Sequence, residues 1–131
     1  MNVSLWSEIV SALRSTDAAT CVEAASRLNA QASAEDIPRL LLLLEEGEDF
    51  FIREAAAWPL AELAGPSVLP QLLNAYQRGF DEGHDNDGFS AALLEIPALF
   101  GLEAKQVIAS LTESADENVK GHAKWLLEFC E

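Results

Sequence analysis

Three stretches of this chain can be laid over one another, and that self-similarity constrains the fold more than any other feature. Asp49, Ile52, Arg53, Ala56, Trp58 and Leu60 recur as Asp116, Val119, Lys120, Ala123, Trp125 and Leu127. A fainter copy survives as Asp17, Ala24, Ala25 and Leu28. A second pattern interleaves with the first: Ile37, Pro38, Leu40 and Leu41 match Leu69, Pro70, Leu72 and Leu73, then Ala104, Val107 and Ile108. The step is 32 residues from Ile37 to Leu69 and 35 from Leu69 to Ala104. Self-similarity at that period belongs to stacked helical hairpins, each unable to bury its apolar face alone.

Local signals agree with helices nearly end to end. Terminal helices are expected over about 4–15 and 116–130, with helical pairs over about 17–46, 49–79 and 86–114, so residues 1–131 read as a single all-α domain of about eight helices. Asp17, Asp49 and Asp116 stand where N-caps belong, because a carboxylate can accept from the otherwise unpaired first amides. Pro38 falls in a first turn, where its missing N–H costs nothing, whereas Pro59 and Pro97 fall inside helices and are expected to kink them. No sustained alternation or Asn-Gly hairpin signal suggests a strand.

These residues carry a resemblance. The aspartate–aliphatic–basic–alanine–tryptophan–leucine pattern, followed by a short turn and a Leu-Pro-x-Leu-Leu run, resembles HEAT repeats. The nearest likeness is to the short bacterial kind also found in phycobilisome lyases. It covers the chain from Asp17 onward and is strongest over 49–76, while Phe89 stands in the third unit where an Arg or Lys belongs. The resemblance implies a right-handed α-α superhelix, with the second helix of each pair lining a concave face. It also implies a structural role for Arg53 and Lys120, and it leaves activity open, because such arrays mostly scaffold and bind.

Spacing separates core from surface within those second helices. Positions 37, 40, 41 and 44, their counterparts 69, 72, 73 and 76, and then 104, 107, 108 and 111 form an apolar stripe at i, i+3, i+4, i+7. The opposite stripe carries Arg39, Leu42, Leu43 and Glu46; then Gln71, Asn74 and Arg78; then Gln106, Ser110 and Glu113. By the resemblance it is the inner, partner-facing surface. Leu42 and Leu43 break its polarity, so either a neighbouring helix covers one of them or they anchor a partner. Trp58 and Trp125 occupy equivalent positions and read as core, and Trp6, on the first helix, reads as a cover for the open end of the array.

Charge narrows the partners. At a net −14, nucleic acid and anionic membrane are poor partners, since both require cationic patches. Eleven of the 22 acidic residues fall in turns between pairs: Glu45, Glu46, Glu48 and Asp49; Asp81, Glu82, Asp85 and Asp87; and Glu113, Asp116 and Glu117. Turns within pairs are neutral, so one edge is expected to be a negative ridge suited to steering a basic protein. Caps explain Asp49, Asp116 and Glu117, but Glu45, Glu46 and Glu113 sit at helix C-termini, where the macrodipole disfavours them.

Catalytic and metal chemistry find little support. The loop 79–88 tempts a calcium assignment with Asp85, Asp87 and Gly88, yet the same alignment puts Gly83 and Leu94 at obligatory ligand positions. His84 and His122 lie apart, and no nucleophile motif or phosphate cradle is present. Cys21 and Cys130 read as reduced packing residues. No apolar run has the length of a bilayer span, and the segment 1–6 lacks the basic and apolar regions of an export signal, so the expected setting is cytoplasmic. The expectation is a non-enzymatic protein-binding module without cofactor, monomeric on its own. Its most concrete form is an immunity or inhibitor protein against a basic toxin. The alternatives are a small adaptor or, through the resemblance, a bilin-lyase-like protein acting on phycobiliproteins.

Overall fold

A computed structural model describes residues 1–47 and 49–131, and among them the chain is all-α, with no strand. Seven α-helices follow in order: α1 Val3–Leu13, α2 Ala18–Gln31, α3 Ile37–Glu46, α4 Phe50–Leu63, α5 Leu69–Asp81, α6 Asp87–Leu111 and α7 Glu117–Leu127. Short 3-10 turns at Ala34–Asp36 and Gly65–Val68 lead into α3 and α5. The anticipated caps form: Asp17 accepts from Thr20 N, Asp49 from Phe51 N, and Asp116 from Asn118 N and Val119 N.

Helical geometry inside α6 is interrupted at one residue, Gly101, with φ 54° and ψ −122°. That left-handed φ favours glycine over any side chain, and it divides the span 86–114, expected to be a helical pair, into two helical segments. Gly65 also has positive φ, and a Cβ on it would lie 2.4 Å from the Phe100 ring. Pro59 and Pro97 both sit inside their helices, and the interruption in α6 falls at the glycine, not at the proline.

Packing follows the repeat. α4 lies against α2, α3 and α6, α6 against α7, and α5 against α3 and α7. Every position of the apolar stripe is in or against the core: Leu40, Leu44, Leu69, Leu72, Leu73, Tyr76, Ala104 and Ile108 are buried, and Ile37, Leu41, Val107 and Leu111 pack on them half-buried. Trp58 and Trp125 are likewise half-buried against the core. Cys21 and Cys130 are both free thiols.

Two polar anchors lock the ends of α3. At its start, the buried carboxylate of Asp36 accepts from Ser33 N (2.9 Å) and pairs with the Arg39 guanidinium and the Met1 amine. At its end, the fully buried Arg53 donates to Gly47 O (3.0 Å) and to the Glu82 carboxylate, tying α3, α4 and the 82–86 turn together. Phe50 and His84 stack beside this anchor at 4.2 Å between ring centroids.

The Asp36 anchor has a pH signature. Burial pushes its carboxyl up, but the Ser33 N–H, the Arg39 guanidinium and the Met1 amine outweigh burial and hold it below the ordinary 3.8. A depressed carboxyl stabilises the fold above its unfolded value and loses that contribution as pH falls through the folded one. Asp36→Ala should therefore cost about 1–3 kcal/mol at neutral pH. In urea unfolding the gap to wild type should hold from pH 7 to 5 and close below pH 3.8. A gap unchanged down to strong acid would mean that the charge contributes nothing.

Candidate functional site

The outward side of α3 is the centre of the site. Leu42 is 53% exposed there, whereas Leu43 is only 9% exposed and belongs to the core margin. The two leucines therefore divide, and only Leu42 is left for a partner. One turn on from Leu42, Glu45 and Glu46 are both exposed at the C-terminal end of α3, whose last turn holds no basic residue. Residues three and four apart share a helix face, so α3 presents an apolar–acidic strip about one turn long.

A cleft borders this strip on each side. Toward α1, a cleft of about 300 Å3 is lined by Trp6, Val10, Arg14, Arg39, Leu42, Leu43 and Glu46. It continues into a second hollow lined by Arg14, Glu46, Gly47, Asp49 and Ile52. Toward α5, a smaller cleft of about 210 Å3 is lined by Leu44, Glu45, Gln71, Asn74, Ala75 and Arg78. The expected inner stripe of the first two pairs is thus divided between the clefts, Arg39, Leu42, Leu43 and Glu46 on the α1 side and Gln71, Asn74 and Arg78 on the α5 side. Its third portion differs: Gln106 and Ser110 on α6 and Glu113 just beyond it are exposed but line neither cleft.

Several site residues are already engaged inside the protein. Arg39 pairs with Asp36, donates to Met1 O (2.7 Å) and stacks on Trp6 at 4.6 Å, so it walls the α1 cleft as a fixed group. Glu82 is bound by Arg53 and by Arg78 Nε (3.1 Å); hydrogen bonding from Arg53, opposed by burial and helped by Arg78, holds its carboxyl below the ordinary range. It therefore joins helices together and leaves the free acidic edge.

The remaining ridge is exposed at Glu45, Glu46, Asp49, Asp81, Asp85, Asp87, Glu113, Asp116 and Glu117. Glu48 lies outside the described residues. The turn carrying the second group is shorter than expected, because α5 continues through Gly79 to Asp81 and α6 begins at Asp87. Asn86 explains this: it is buried at φ 62°, donates from Nδ2 to Tyr76 O (2.8 Å), and packs where a Cβ on Gly79 would be. Asp85 closes the turn by accepting from Asp87 N (3.1 Å). Half-buried Glu54 has its carboxyl pushed up by burial and by the Asp85 charge.

Trp6 and Arg14 are cleft residues that the repeat does not reveal, since α1 precedes its first unit. A separate apolar hollow of about 500 Å3 lies at the other end, lined by Leu94, Pro97, Ala98, Gly101, Leu102, Phe129 and Glu131. Leu102 is 69% and Phe129 51% exposed there. Only Leu94 and Ala98, four apart ahead of the break at Gly101, shared a face legible in the sequence. Among the described residues no three His, Cys, Asp or Glu side chains are grouped to hold a metal ion, and no helix is long and apolar enough to cross a membrane. Compared with family models, with curated proteins and with solved structures, the chain matches none.

Proposed function

We propose that the chain is a HEAT-like α-solenoid serving as a non-catalytic protein-binding module, with a basic protein held against the outward side of α3. The architecture draws support from the repeat and from packing that pairs equivalent helices, α2 with α4, α4 with α6 and α3 with α5. The observation that carries the binding reading is Leu42, a large apolar side chain exposed between two clefts and flanked by Glu45 and Glu46. An apolar centre with a charged rim is the anatomy of a protein interface. A net charge of −14 favours a basic partner by long-range attraction. The concrete form is an inhibitor that masks a basic protein, as an immunity protein masks a toxin.

The test starts from the protein retained by the immobilised chain from its native cell. That protein should be basic, and its association should slow as salt is added. Combined Asp81→Lys, Asp85→Lys and Asp87→Lys replacements should slow association about tenfold at low ionic strength and leave dissociation nearly unchanged. An association rate indifferent to both salt and these reversals contradicts the acidic-edge reading.

A further inference from the structure

The α3–α5 cleft has a chemistry of its own. Leu44 and Ala75 are buried and give it an apolar base. Gln71 lines it, and Gln71 Oε1 is buried with no hydrogen-bond partner among the described residues. Arg78 has its Nε committed to Glu82 at 3.1 Å. Glu45 is exposed on the opposite wall, and no ion pair among the described residues engages it. It also stands at the negative end of the α3 macrodipole, where a carboxylate is disfavoured unless a cation joins it. Glu45 and Gln71 Oε1 are thus two unengaged acceptors of a cleft whose own cation, Arg78, is paired with Glu82.

We propose that this cleft is the seat for an arginine side chain presented by the partner. The inference rests on the protein-binding reading above and names a residue type that reading leaves open. A guanidinium supplies five N–H donors in one plane, enough to fork onto the Glu45 carboxylate and still reach Gln71 Oε1 once that unheld amide turns toward it. The alkyl stem of the arginine covers Leu44 and Ala75. A lysine brings the charge without the fork. The Asn74 amide, exposed on the rim, adds a second carbonyl acceptor.

The probe is N-acetyl-L-arginine methylamide, titrated into the isotope-labelled chain and followed through the side-chain amide signals of Gln71 and Asn74. Saturable shifts centred on these two residues and on Glu45 are expected, with the lysine analogue binding about tenfold more weakly. Glu45→Gln and, separately, Gln71→Met should each weaken arginine binding several-fold, while Glu113→Gln should not. Shifts that do not saturate, that spread equally to 116–117, or that survive Glu45→Gln overturn the proposal. The two readings fail separately. A retained protein bound equally well by wild type, Glu45→Gln and Gln71→Met removes the arginine seat and leaves the binding module. Arginine binding with no protein retained does the reverse.

Discussion

Replacing Arg53 with alanine should lower the unfolding free energy by about 3–5 kcal/mol, the largest effect expected of any single substitution in this chain. The side chain is fully buried and among the largest such groups in the molecule. Its loss opens a cavity beside Ile52 and Gly47, releases the Gly47 carbonyl at the end of α3, and frees Glu82 from α4. A domain of this size should melt about 10–20 °C lower. Arg53→Met should recover part of the loss, because it restores volume without the hydrogen bonds. Thermal unfolding of wild type and both variants separates packing from pairing: Arg53→Met melting together with wild type would mean that the hydrogen bonds to Gly47 and Glu82 contribute nothing net.

Leu42→Asp should leave the fold intact and weaken partner binding by about 30- to 100-fold, the scale of a central interface residue. Leu42 projects into solvent, so its removal takes nothing from the core, and the melting temperature should stay within about 2 °C. Leu43→Asp is the contrasting control. At 9% exposure that carboxylate enters the core margin, and the protein should be destabilised outright. Calorimetric titration with the retained partner, beside melting curves for both variants, gives the comparison. Equal affinity of wild type and Leu42→Asp would place the interface elsewhere, with the apolar hollow around Leu102 and Phe129 next to be examined.

The repeat made the helices and the core legible, because burial follows spacing and spacing is visible in a sequence. The twelve positions of the apolar stripe behave as their period requires, and the caps at Asp17, Asp49 and Asp116 form where they were expected. Tertiary pairings were not legible. Glu82 looked like one more loop carboxylate because its partner Arg53 lies 29 residues away. Gly79 looked like a helix end, since glycine favours C-terminal caps, but it serves to admit the buried Asn86. Arg39 sat on the polar stripe, and its three-residue spacing from Asp36 was the one local hint that it is tethered. The clefts themselves depend on how α1 and α5 flank α3, which periodicity does not specify.

Photo-crosslinking tests the central claim most directly. A benzophenone amino acid placed at Leu42 lies on the α3 face and one at Asn74 on the α5 wall of the adjoining cleft, while one at Val22 or Asn118 is exposed on α2 or α7, and neither of those two residues lines a cleft beside α3. Irradiating each variant with the retained partner should give covalent adducts from positions 42 and 74 and none from 22 and 118. Adducts confined to 22 or 118 would contradict the assignment of the α3 face as the binding surface.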